Sequence, residues 1–241
     1  MSGTTPHATP PAKSEPGIQP ADDHRLFTFT LERIVFFSDA VFAIAITLLA
    51  IEVRLPDLPP GQTDASFLDA LVAVGPSFFA FVLSFVVIAS FWVGHYRTFR
   101  YIVDADGRLV AINFAFLFCI AILPFPTSII AHEGNLASAA IVYAVFGFAT
   151  GALSTLLWVY PARIAHLTAP SVTPDIARYV TYRAAVIPVV FAISIPVALV
   201  APPLAWVLWF SSAGIQAIVT RRYRATGVIG LGARGGRPPV A

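Results

Sequence analysis

Ser38, Asp39 and His95 offer a hydroxyl, a carboxylate and an imidazole inside otherwise apolar runs, Asp39 within RIVFFSDAVFAIAITLLAIEV and His95 within FWVGHYRTFR. Those three side-chain types make a hydrolytic triad, but Ser38 and Asp39 are chain neighbours and diverge by about 100° on a helix, which disfavours that chemistry. Asp39 and His95 as a pair suit a proton-coupled secondary transporter in which both groups carry protons between alternating states. A structural reading places Arg33, Ser38, Asp39, Trp92, His95 and Asn113 in one buried hydrogen-bonded cluster tying the first three helices together. An unpaired carboxylate in lipid is costly, so Asp39 requires a partner from a neighbouring helix. His95 serves equally as a satisfied core histidine or a proton sensor, and Trp92 reads at least as well as an interfacial belt residue. No nucleotide-binding loop, metal-ligand cluster or catalytic motif accompanies them, so the expectation is no enzyme activity, no cofactor, no fixed metal site and no nucleic-acid partner. The single cysteine, Cys119, excludes a disulfide framework within the chain.

The elements that position these residues are membrane helices. Of 241 residues, 57% are hydrophobic and 12% charged, and the mean hydropathy is +0.78; soluble domains sit near 45–50% apolar and about 25% charged. A bilayer core needs about 20 apolar residues per helix, and six spans qualify, at 30–53, 67–98, 108–131, 137–160, 180–201 and 203–220. The expected fold is therefore an all-α, polytopic membrane protein with six transmembrane helices. The second span exceeds one crossing, which predicts a tilt or a projecting turn. Pro188 and Pro196 interrupt the fifth as tolerated kinks. Leu123-Pro-Phe-Pro126 bends or ends the third, with a pore loop as the less favoured alternative. With the N-terminus inside, every Lys and Arg except Arg54 falls on the inner side, which predicts cytoplasmic N- and C-termini. The outer loops carry Glu52, Asp57, Asp64, Asp69 and Glu133, either a negative mouth for cations or plain solvation. Residues 1–26 and 223–241 read as disordered cytoplasmic tails flanking a channel domain at 27–222.

On the first span, a step of about 100° per residue puts Phe37, Val41, Ile44, Leu48 and Ile51 on one stripe with Thr47 beside it. Asp39 points nearly the opposite way, with Phe42, Ala43, Ile46 and Ala50. Ala43 and Ala50 are then the small positions at which a neighbouring helix approaches. Gly147-Phe-Ala-Thr-Gly151 has the GxxxG spacing, common by chance in such segments, and is given no role.

The pattern Arg33, Phe37-Ser38-Asp39 and Phe42-Ala-Ile opening a first membrane helix resembles the transmembrane protein 175 family, the endolysosomal-type potassium channels, and among them the six-helix prokaryotic members. FWVGH with Trp92 and His95, and the run from Asn113 through Leu123-Pro124-Phe125 to Thr127, are also similar. The resemblance implies a homotetramer in a prokaryotic plasma (inner) membrane, its central pore lined by the first helix of each chain. It further implies K+ permeation with modest preference over Na+, constrictions at Ile44, Leu48 and Ile51, and an influence of Thr47 on selectivity. Arg33, Phe37, Ser38, Asp39, Trp92, His95 and Asn113 would then support the pore helix from behind. The TVGYG loop of ordinary potassium channels is absent, so an aliphatic ring would have to discriminate through the cost of partly dehydrating the ion.

Overall fold

The computed structural model describes residues 20–56, 61 and 63–225, with side chains from residue 31 onward. The tail assignments for residues 1–19 and 226–241 fall outside the described residues. Among the described residues the regular elements are helices: α1 (Pro20–Leu49, prolonged by a 3-10 turn at Ala50–Glu52), α2 (Asp64–Ala73), α3 (Gly75–Phe99), α4 (Gly107–Ile122), α5 (Pro124–Glu133), α6 (Ala137–Val159, closed by a π turn at Tyr160–Ile164), α7 (Pro174–Val200) and α8 (Pro202–Ala225). They supply six stretches long and apolar enough to cross a membrane, Leu31–Glu52, Asp64–Phe99, Gly107–Glu133, Ala137–Ile164, Pro174–Val200 and Pro202–Ala225. The all-α, six-span reading is thus borne out, with different edges. α1 opens at Pro20, ahead of the expected domain boundary at 27, as suits a proline whose missing N–H is not needed in a first turn. α8 passes the boundary at 222, its last turn carrying Arg222 and Arg224 where cations favour the helix C-terminus.

Two spans are broken by proline rather than simply tilted. Pro76 cannot donate to a carbonyl one turn back, and the ladder tightens just before it, with Val74 N–H reaching Leu71 O at 3.3 Å. The long second span therefore divides into α2 and α3. Pro124 and Pro126 do the same at Leu123, whose N–H bonds Ile120 O at 3.2 Å before α5 continues. Leu123-Pro-Phe-Pro126 is a bend and not a pore loop. Helix starts follow side-chain caps. Thr63 and Ser66 form a capping box at α2, and Thr173 caps α7 just ahead of Pro174.

α1 packs on α3, α4 and α5, while α6, α7 and α8 form the second half of the bundle. The tightest joint is α6 on α7, and it runs through the two glycines given no role above. A Cβ built on Gly147 would stand 2.3 Å from the Phe191 ring, and one on Gly151 would stand 2.8 Å from Pro188 Cδ and backbone nitrogen. The spacing works here because a second feature, invisible in the motif itself, meets it: the Pro188 ring on α7. Phe191, seated over Gly147, stacks on Trp209 of α8 at 5.7 Å, and Trp209 lies 4.6 Å from Tyr143. At the opposite end of α6, the loops after α3 and α6 pair through Val103 N–H to Leu167 O at 3.0 Å and Ala169 N–H to Tyr101 O at 2.8 Å. Asp106 fixes this end. One carboxylate oxygen caps α4 at Leu109 N–H, 2.7 Å away, and the other accepts from the Tyr160 hydroxyl.

Gly151→Ala should lower stability by about 1–3 kcal/mol, the usual cost of overpacking a rigid joint, whereas Gly214→Ala, inside α8 with open space around its Cβ, should not lower the melt and should stabilise by up to about 1 kcal/mol through helix propensity. Thermal unfolding followed by gel filtration in detergent measures both. The hydroxyl of Tyr160, and then the Leu109 N–H, hold the Asp106 carboxyl below its ordinary value of 3.8. A carboxyl lowered on folding stabilises above its unfolded pKa and loses that contribution as pH falls through the folded value. The stability gap between the wild type and Tyr160→Phe should therefore be constant above about pH 5 and close in stronger acid. Chemical denaturation across that range tests it, and a gap that persists at the acid end would refute the linkage.

Candidate functional site

α1 divides into two faces. Ser38, Phe42, Ala45 and Leu49 are 0–1% exposed and form its packed stripe. This corrects the expected contact positions: Ala43 and Ala50 are exposed, and Ala45 is the small residue at the joint. The packed stripe lies between the directions of Asp39 and of the aliphatic seam, because its members recur every three or four residues from Ser38. The other face carries Ile44 at 59% exposure, Leu48 at 41% and Ile51 at 52%. Thr47 is exposed beside them and donates its hydroxyl to Ile44 O at 2.9 Å, which leaves its oxygen lone pairs facing outward.

The expected six-residue cluster separates into parts. Ser38, Asn113 and His95 form a buried, directional chain joining α1, α4 and α3. Ser38 donates to Ile34 O at 2.8 Å, so its oxygen must accept from Asn113 Nδ2 at 3.1 Å. The amide then turns Oδ1 toward His95 Nε2 at 3.0 Å, and His95 donates. That assignment fixes the Nε2–H tautomer. His95 is enclosed by aromatic rings, with Phe99 at 4.4 Å and Phe116 at 5.8 Å stacked on it and Phe42 edge-on at 5.7 Å.

Asp39 and Trp92 stand apart as an exposed pair, Trp92 Nε1 donating to Asp39 Oδ1 at 2.8 Å. Arg33 is exposed and lies about three turns below Ile44 on the same side of α1, rather than beside Ser38. Phe37 is also half exposed, its ring 5.6 Å from Phe114 of α4. The reason is the same angular step that disfavours a Ser38–Asp39 triad. Consecutive side chains on one helix cannot enter the same buried cluster.

A family model for the endosomal/lysosomal potassium channel TMEM175 matches residues 33–124, which takes in the whole of this site. A potassium channel of Streptomyces collinus is 36% identical over 178 residues, which is 71% of this chain and 84% of that protein. The chain belongs to the TMEM175 family. A potassium channel of Chamaesiphon minutus is 35% identical over 140 residues, 57% of this chain and 68% of the relative. The crystal structure of a homolog, from Chamaesiphon minutus, of the lysosomal potassium-selective channel TMEM175 superposes with a TM-score of 0.69 at 28% identity, covering 78% of this chain and 97% of that one. A human relative, named an endosomal/lysosomal proton channel, is 24% identical over 159 residues, only 31% of its own length. The family and these relatives are ion channels and not enzymes, as the absence of catalytic motifs leads one to expect.

In this TMEM175 family member the supports that sequence reasoning missed are single hydroxyls. Ser84 Oγ lies 2.7 Å from Thr127 Oγ1 and 2.9 Å from Tyr143 OH, a buried string that ties α3 to α5 and α6. Isolated Ser, Thr and Tyr residues in apolar runs carry no spacing signal, and only the packing brings them together. Asn113→Leu strands the Ser38 oxygen and the His95 N–H in a buried site and should cost about 1–3 kcal/mol, whereas Trp92→Phe, at an exposed bond, should cost less. Comparative melts of the two variants decide the order, and equal losses would remove the distinction between the buried chain and the exposed pair.

Proposed function

We propose that this chain is a potassium-conducting channel that works as a homotetramer, with α1 of each copy lining a central pore through the bilayer. The observation that carries the reading is the exposure of Ile44, Leu48 and Ile51 beside a stripe, Ser38, Phe42, Ala45 and Leu49, that is buried within the subunit. Four such faces around an axis would give aliphatic rings, with Thr47 turning hydroxyl lone pairs toward a passing cation. Such rings cannot replace a hydration shell. They favour K+ over Na+ modestly, because K+ is the easier to dehydrate, and they close by dewetting when the side chains rotate inward. The buried Ser38–Asn113–His95 chain, with Phe37, Asp39–Trp92 and Arg33 around the same end of α1, holds the helix in this rotation. The printed names of the bacterial relatives support potassium as the permeant ion. The predominance of arginine in the loops at the α3–α4 and α6–α7 end supports cytoplasmic termini and a place in a prokaryotic plasma membrane.

The proton-coupled transporter reading has less support. Asp39 and His95 bond different partners, and the His95 ring is walled by phenylalanines. Purified protein in a planar bilayer, with potassium on one side and sodium on the other, should give single-channel currents and a reversal potential displaced toward that of potassium. Ile44→Ser should raise the current and reduce that displacement. Unchanged conductance and reversal potential in Ile44→Ser would take Ile44 out of the pore, and saturable flux that depends on a proton gradient would favour the transporter.

A further inference from the structure

A cavity of about 280 Å³ opens between α3, α7 and α8 near the ends where α3 and α8 finish, well away from the seam of α1. Arg97, Arg100, Arg183 and Arg224 line it, and Arg221 lines a contiguous groove of about 470 Å³ that shares Arg97, Arg183 and Arg224. None of the residues lining either space is acidic. Arg183 is 9% exposed and Gln216 5% exposed; both residues line this space, and their buried Arg183 Nε and Gln216 Nε2 have no hydrogen-bond partner among the described residues. A buried guanidinium within a membrane helix, ringed by like charges and left with an unused donor, demands an anion.

The groove indicates which kind of anion. Arg183 lies about 13 Å along α7 from its start at Pro174, at the 1.5 Å rise of a helix. Arg97 and Arg224 lie in the last turns of α3 and α8, where a membrane helix approaches the headgroups. From them the groove continues along Phe85, Val86, Ala89 and Val93 of α3, an apolar wall facing the bundle exterior. Guanidinium groups match phosphate oxygens with paired N–H donors. We infer that this pocket seats the phosphate of an anionic glycerophospholipid, with an acyl chain lying along the Phe85–Val93 groove. A zwitterionic headgroup would bring its own ammonium against the arginines and is disfavoured.

Native mass spectrometry of the full-length protein in non-ionic detergent, titrated with phosphatidylglycerol, phosphatidylcholine or inorganic phosphate, tests the assignment. Phosphatidylglycerol should be retained over phosphatidylcholine by at least about five-fold, and Arg97→Gln and Arg224→Gln should each weaken that retention by about five-fold, the effect of one surface arginine on an anionic lipid. Arg183→Gln should abolish it. Should that buried variant fail to fold, the two more exposed ones still decide, provided they elute as the wild type. Equal retention of the two lipids, or phosphatidylglycerol binding that survives Arg97→Gln and Arg224→Gln, would overturn the proposal. Inorganic phosphate displacing the lipid at equal concentration would overturn it too, in favour of a soluble anion.

Discussion

Lipid tails are as apolar as leucine, so a helix such as α1 has no hydrophobic reason to turn one aliphatic face inward rather than another. Its rotation has to be set by polar groups that lose their partners if it turns. Ser38 supplies that constraint. Its hydroxyl is committed to Ile34 O, its oxygen to Asn113, and through Asn113 to the tautomer of His95. A rotation of α1 would break the bond between Ser38 and Asn113 and strand the Asn113 amide N–H in a buried site. The packing of Phe42, Ala45 and Leu49 follows from that orientation, and so does the outward aspect of Ile44, Leu48 and Ile51.

The remainder of the bundle gives this joint something rigid to bear on. α3 bonds α4 through His95, α1 through the Trp92 indole and, three turns from His95, α5 and α6 through the Ser84 hydroxyl, so one helix is tied to four others. Behind it, α6 and α7 meet at glycine-to-ring distance, with Phe191 and Trp209 filling the space above Gly147. Close backbone approach and interhelical hydrogen bonds are the two means available where water does not drive association. The second half uses both, since Trp158 Nε1 bonds Thr181 across α6 and α7, and Trp209 Nε1 bonds Ser194 across α8 and α7.

The proposed aliphatic constriction would give such rigidity a purpose. In such a pore, selectivity and closure would both depend on how closely side chains that hold the ion by no bond are placed. Placement comes from the helix behind them. The arginine pocket lies on the far side of α3 from α1. Occupation by a lipid would bear on the same helix that carries Trp92 and His95.

The sequence by itself determined what depends on composition and local periodicity: six apolar spans, an all-helical chain, the aliphatic stripe on α1, and the Arg33, Phe37-Ser38-Asp39 pattern that marks the family. Hydrophobic length and a 3.6-residue repeat are properties of a segment and need no neighbour. The tertiary structure decided everything that depends on which neighbour a side chain meets. It left Asp39 and Arg33 outside the buried cluster, chose Ala45 over Ala43 and Ala50 as the contact, and gave Gly147 and Gly151 a partner in Phe191 and Pro188. It also gathered arginines from α3, α7 and α8 around one cavity. Between apolar helices in a bilayer, many pairings bury similar surface. The one adopted is selected by a few hydrogen bonds and steric fits among residues far apart in the chain, and no single segment encodes those.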